Sequence, residues 1–286
     1  MTQEELRRIP KVELHRHLEL SVRLSTLKEL TAEAGLPVPA SEKELREKWL
    51  ITEPMQDLGA VLNKFLVTQS ILSSEEILTR ITYEAIEDAY NEGIRILELR
   101  YAPTYIQQGH PNLDFESIHR AVMKGVEKAK HLPIAVGIIV IIQRTLPLSV
   151  AEEVTSFAIA HKGEVLALDL ADNEAGFEPA PFAPLFERAK NAGLHITVHA
   201  GEINTPEAPN YVRDAIEKLG AERIGHGVQI AKSMEVMEFV HSRQVPLELC
   251  PTSNWLTSAV PSLKEHPFRM LFESGILVTI NSDDPQ

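Results

Sequence analysis

Glu13-Leu14-His15-Arg16-His17 lies close to the start of the chain. Alternate side chains of a strand share a face, so an extended backbone here points His15 and His17 the same way. Two imidazoles converging at a strand end suit two ligands of one metal ion. A His-x-His pair is also an ordinary polar strand end, so its meaning depends on what distant parts of the chain supply.

The rest of the chain alternates between two periodicities. Lys11 to Leu14 reads as a short apolar strand. A helical excursion at about 24–73 follows, broken at Gly35-Leu-Pro37-Val-Pro39 and at Glu53-Pro54. Ser74 to Asn91 opens with Ser-Ser-Glu-Glu, repeats apolar residues at helical spacing and stops at Gly93. Strand Ile94 to Tyr101 and helix Phe115 to Lys130 come next. Ile134 to Ile142 is a β-branched run of the kind buried on both faces. Helix Ser149 to His161, strand Val165 to Leu170, helix Pro181 to Asn191 and strand His195 to His199 continue the pattern. Helix Pro209 to Leu219, strand Arg223 to Gly225, helix Ser233 to Ser242 and strand Val245 to Leu249 follow. Helix Pro267 to Ser274 and strand Leu277 to Ile280 complete it. Eight strands separated by helices predict an α/β fold, a (β/α)₈ TIM barrel, with residues 1–286 forming a single domain. A doubly wound open sheet is weakened because no Gly-x-Gly-x-x-Gly turn follows the first strand.

Composition narrows the function. The chain has 286 residues, 44% hydrophobic, with a formal net charge of −13 and scattered lysines and arginines. That charge disfavours nucleic acid and anionic membrane surfaces and favours a small-molecule substrate. The only cysteine is Cys250, so no intrachain disulfide forms and a reducing cytoplasm is the natural compartment. The N-terminus lacks the apolar core of a signal peptide, and the run Leu132 to Ile142 is too short to span a bilayer.

Polar residues collect at the strand ends. His15 and His17 end strand one, Asp169 and Asp172 strand four, His199 and Glu202 strand five, His226 strand six, and Asp283 and Asp284 strand eight. In a barrel these ends share the face where enzymes of the fold place their chemistry. Glu13 and Glu98, inside strands, read as residues making internal hydrogen bonds or ion pairs, and His195, nearer the barrel bottom on strand five, reads as a structural residue. Cys250 reads as a small buried apolar residue, and Ser253 and Asn254 as hydrogen-bonding support for their loop.

Val12-Glu-Leu-His-Arg-His17, Val198-His-Ala-Gly-Glu202, Ile224-Gly-His-Gly227, Cys250-Pro-Thr-Ser-Asn254 and Ser282-Asp-Asp-Pro285 together resemble the ordered motif set of the adenosine deaminase family, within the metal-dependent amidohydrolases. The resemblance spans nearly the whole chain. It implies one zinc ion per chain on His15, His17, His199 and Asp283, with Glu202, His226 and Asp284 as catalytic residues. It also implies substrate contacts from Glu19, Asp172 and Asp284. The expected reaction is hydrolytic deamination of a 6-aminopurine nucleoside, adenosine to inosine plus ammonia. The alternatives are aminodeoxyfutalosine or adenine as substrate.

The chemistry is coherent. Three imidazoles and one carboxylate leave zinc an open position for water, whose pKa the metal lowers to about 7. Attack at purine C6 needs an electrophilic ring, which a protonated Glu202 donating to N1 would provide. A pocket poor in water raises that carboxyl's pKa while a zinc cation opposes the shift, so the residues alone leave its protonation open. His226 would orient the attacking water and take or share its proton, with Asp283 assisting. Asp284 would hold the ring at N7. A binuclear amidohydrolase would usually carry a bridging lysine at the end of strand four, where this chain reads Leu168-Asp-Leu-Ala-Asp-Asn-Glu174. A non-catalytic relative would not need the intact ligand set.

The chain departs from the family pattern in three places. Glu19-Leu20 stands where members usually carry an acidic residue followed by glycine, and leucine adds bulk and loses access to positive φ. Asp172 replaces a glycine whose amide can meet purine N3, so its carboxylate is expected to narrow the ring pocket or read another substituent. Finally, the sequence stops at Gln286 without an eighth helix or further C-terminal helices. The outer face of strand eight is then expected to lie open to water, favouring aggregation or a homodimer.

Overall fold

The structure, a computed structural model, describes residues 2–55, 61 and 64–285. Its strands are β1 (Lys11–His17), β2 (Ile94–Tyr101), β3 (Ala135–Gln143), β4 (Val165–Ala171), β5 (His195–Ala200), β6 (Arg223–His226), β7 (Leu247–Leu249) and β8 (Val278–Ile280). They form one eight-stranded sheet in the order β1 to β8, the succession of a (β/α)₈ barrel. The described pairings β1·β2, β4·β5, β5·β6, β6·β7 and β7·β8 are all parallel.

Residue contacts group into two compact units. One comprises Met1–Ile51, Leu62–Ile138 and Asp283–Gln286; the other comprises Thr52–Val61 and Ile139–Ser282. In the first unit, the helix Glu75–Asn91 shows how local signals set an element. Ser74 Oγ accepts from the Ile77 N–H at 3.3 Å, Glu75 and Glu76 occupy the first turn, and Gly93 follows the helix at φ +89°. Leu78, Ile81, Ala85 and Ile86 are fully buried at three- and four-residue spacing. This helix packs on Phe115–Lys128, whose Gly125 comes so close that an added Cβ would lie 2.5 Å from Thr82 Cβ.

The expected elements recur with small shifts. β2 has the bounds read from sequence, whereas β1 extends past Leu14 to His17. The extension follows from pairing on both sides. His17 lies opposite Arg100 of β2, its N–H donates to the Asp283 carbonyl at 3.1 Å, and the Asp283 N–H donates to the His15 carbonyl at 2.9 Å. Asp283, just beyond β8, thus bridges to β1. β7 is shorter than expected because Pro246 has no N–H to contribute. The excursion at 24–73 contains the helices Leu24–Glu33, Glu42–Lys48 and Leu66–Ile71; its residues 56–60, 62 and 63 lie outside the described residues, as does Gln286.

Among the described residues, three short α-helices were not expected from the pattern, Gln3–Arg8, Pro103–Gln107 and Pro251–Leu256. In the second unit, Phe272, Leu277 and Ile280 are exposed. No helix among the described residues is long and apolar enough to cross a membrane.

Candidate active site

In the first unit, β1 ends on two histidines aimed at one carboxylate. His15 Nε2 lies 3.2 Å and His17 Nε2 3.4 Å from the same oxygen of Asp283, Oδ1. His15 and Asp283 are buried. Two imidazole nitrogens and a carboxylate oxygen gathered this closely fit a metal that takes N and O donors, such as zinc. Asp283 reaches this place with φ +63°, a backbone region that non-glycine residues rarely adopt.

Glu19, just after β1, is buried. Its Oε1 accepts from the Ala102 N–H at 2.5 Å, and its Oε2 is buried without a hydrogen-bond partner. Burial pushes its carboxyl up to about 7, against the lowering effect of the Ala102 N–H. Tyr105 lies near Glu19 and Asp284, and burial plus those two carboxylates push its hydroxyl upward. Leu20 is buried and is absent from the positive-φ residues, so it fills this turn without backbone strain.

In the second unit, β5 presents His199 and the loop that carries Glu202. His199 Nδ1 faces both oxygens of Asp169 on β4, at 3.1 and 3.0 Å. A carboxylate on Nδ1 fixes the ring's orientation and leaves Nε2 as the nitrogen that could bind a metal. The Arg144 guanidinium, fully buried, donates to the Leu170 carbonyl at 2.9 Å and to the His199 carbonyl, tying β4 to β5.

Glu174 does the same for the following loop. Its carboxylate accepts from the backbone N–H groups of Gly201 (2.8 Å), Glu202 (2.8 Å) and Ile203 (3.3 Å). From the other side, Gln229 Nε2 donates to the Glu202 carbonyl at 3.1 Å and the Ala259 carbonyl at 2.8 Å. Glu202 is therefore held at its backbone, and its Oε2 lies 3.6 Å from His226 Nε2.

His226 ends β6 at φ +62° and is followed by Gly227 at φ +69°. Its Nδ1 lies 3.0 Å from Asn254 Nδ2.

The Asp172 carboxylate is hydrogen-bonded within the second unit. Its Oδ2 accepts from Thr145 Oγ1 at 2.6 Å and from Gln143 Nε2 at 3.2 Å, and its Oδ1 accepts from the Asn173 N–H at 2.6 Å. The side chain thus bonds to the last residue of β3, to the loop that follows it and to its own turn. These bonds accompany φ +81°, the conformation a glycine would take freely. His195, expected to be a structural residue, is exposed, with Nδ1 2.7 Å from Glu222 Oε2. Cys250 is buried, as its composition suggests.

Sequence reasoning assigned nothing to Glu174, Arg144 or Gln229. Their partners are backbone groups of distant segments, which leave no pattern in side-chain spacing. The available signal was charge: Glu174 follows Asp172 closely at the end of a buried strand, where an acidic residue needs a partner.

Replacing Glu174 with alanine should leave three amide donors without their acceptor and lower stability by about 1–3 kcal/mol. Urea unfolding checks this; an unchanged midpoint would show that water or relaxation satisfies those amides.

A family model described as Adenosine deaminase matches residues 10–286. The adenosine deaminase of Klebsiella pneumoniae (strain 342) is 38% identical over 279 residues, covering 97% of this chain and 83% of that protein. The crystal structure of adenine deaminase from Arthrobacter aurescens superposes with a TM-score of 0.87 at 28% identity, covering 97% of this chain and 82% of that one. An amidohydrolase from Burkholderia ambifaria with bound zinc gives a TM-score of 0.85 at 25% identity, covering 99% and 77%. The fold and these matches define a (β/α)₈-barrel hydrolase of the deaminase class. The chain belongs to the adenosine deaminase family.

Proposed function

We propose that this protein catalyses zinc-dependent hydrolytic deamination of a 6-aminopurine nucleoside, with adenosine as substrate and inosine and ammonia as products. His15, His17, His199 and Asp283 would hold one zinc ion. The observation that carries the reading is the meeting of His15 Nε2 and His17 Nε2 at one oxygen of Asp283, because hydrogen bonding alone does not require two imidazoles there. The zinc-bound amidohydrolase neighbour and the adenosine deaminase relative support metal and substrate respectively.

When bound, zinc would act as a Lewis acid, lowering the pKa of the attacking water to about 7. The chain's own residues supply the rest. Glu202, buried and fixed at its backbone, would donate a proton to ring N1 and draw electron density away from C6. His226 would contact the attacking oxygen, and Asp284 would hold the ring at N7. The second oxygen of Glu19, buried without a partner, would take the sugar end of the substrate. Asp172 would meet the purine through its backbone N–H, since its carboxylate is engaged elsewhere.

Adenine is the second reading, favoured by the buried Leu20 beside Glu19 and by the adenine deaminase neighbour. Ammonia release from adenosine, adenine and aminodeoxyfutalosine by zinc-loaded protein separates the substrates. Adenosine is expected to give the highest kcat/KM, and turnover of adenine alone would replace it with the second reading. Turnover of none would remove both.

A further inference from the structure

A chain of directed hydrogen bonds runs from a surface helix to His226. The Phe268 backbone N–H lies 3.1 Å from His266 Nδ1, His266 Nε2 lies 3.1 Å from Asn254 Oδ1, and Asn254 Nδ2 lies 3.0 Å from His226 Nδ1. We propose that Asn254 and His266 are positioning residues that hold His226 as its Nε2–H tautomer, so that the ring presents an N–H rather than a lone pair to the reacting oxygen. The proposal rests on the reading of His226 as an active-site residue.

The direction of the chain is fixed at its outer end. A backbone amide can only donate, so His266 Nδ1 accepts, and the proton of the neutral ring sits on Nε2. That N–H needs an acceptor, which makes the Asn254 atom facing it the carbonyl oxygen. The other end of the Asn254 amide is then the NH₂ group. It can only donate, so His226 Nδ1 accepts and the proton of neutral His226 lies on Nε2. This is the nitrogen 3.6 Å from Glu202 Oε2.

Reversing any link sets N–H against N–H at Phe268. Burial supports the same polarity by pushing His266 below the usual imidazole range, which keeps its Nδ1 an acceptor. Asn254 and His226 are buried, so water does not readily substitute along the inner links. A general base at Nε2 would need the opposite tautomer, with Nδ1–H facing an acceptor. On this proposal His226 keeps the orienting part of the role expected from sequence and performs it as an N–H donor.

The test uses the full chain labelled with ¹⁵N-histidine, and long-range ¹H–¹⁵N correlations that distinguish the two tautomers. The expected result is Nε2–H for both His226 and His266. Asn254→Asp places a carboxylate against Nδ1 and should switch His226 to Nδ1–H, lowering kcat by about 10²-fold or more with KM within about threefold, as a wrong tautomer does elsewhere. His266→Leu should lower kcat by about tenfold, and His266→Gln, which can still donate to Asn254, should recover most of it. That pair keeps the kinetic test available if Asn254→Asp does not fold. Nδ1–H on His226 in the unmodified protein, or Nε2–H retained in Asn254→Asp, would overturn the proposal. So would a failure of His266→Gln to exceed His266→Leu. If no 6-aminopurine is deaminated at all, the functional reading fails, while the tautomer measured on the unmodified protein still decides this inference.

Discussion

Glu202→Gln is expected to lower kcat/KM for adenosine by about 10³-fold, near the middle of the range for loss of a positioned acid or base. Glutamine keeps the length and hydrogen-bonding reach of the side chain but cannot pass a proton to ring N1. The backbone at 202 is held by Glu174 and Gln229, so the substitution should leave the loop in place. The loss should therefore fall on kcat, with zinc content and thermal midpoint close to those of the parent. Steady-state kinetics beside metal analysis checks this. An activity within about tenfold of the parent would assign the proton transfer to another group.

His15→Ala and His17→Ala should each abolish stoichiometric zinc binding. Either change removes one of the two imidazoles that meet Asp283 Oδ1 and leaves a buried carboxylate against a gap. A second consequence separates ligand loss from general damage. Metal that binds only the folded protein stabilises it by about 2.7 kcal/mol at a hundred times Kd, so zinc should raise the melting temperature of the parent and leave the variants unmoved. Metal analysis after dialysis and melting with and without zinc give the two readouts. A full equivalent of zinc retained by His15→Ala would contradict the ligand assignment.

How much of this was legible in the sequence depends on the range of the interaction. β2 and the helix Glu75–Asn91 were readable because alternation, Ser74, the first-turn acids and Gly93 are local signals. The helix Gln3–Arg8 was missed although Thr2 and Glu5 form a capping box, because six mostly polar residues carry no apolar period. The histidines and carboxylates at the strand ends were found because their residue types carry chemistry. The direction of a side chain was not readable: Asp172 was identified, but its bonds to Thr145 and Gln143 arise only when β3 and β4 lie side by side. The cradle under Glu202 and the chain from Phe268 to His226 were hidden for the same reason, since each link joins residues brought together by folding.

Of the five non-glycine residues at positive φ among the described residues, three are ones the sequence singles out: His226 and Asp283 in the motifs, and Asp172 as a departure from the family pattern. Such backbone costs of order 1–3 kcal/mol each and persists where surrounding bonds over-determine it. At Asp172 those bonds come from its own side chain, and at Asp283 from the strand pairing with β1.

The central claim is that one zinc ion makes this chain an adenosine deaminase. The direct measurement is a zinc titration of chelator-treated protein, following conversion of adenosine to inosine by ultraviolet absorbance. The account predicts negligible conversion without metal and a linear rise that levels off at one zinc per chain. Full activity in the metal-depleted protein, a plateau at two equivalents, or no inosine at any zinc level would contradict it.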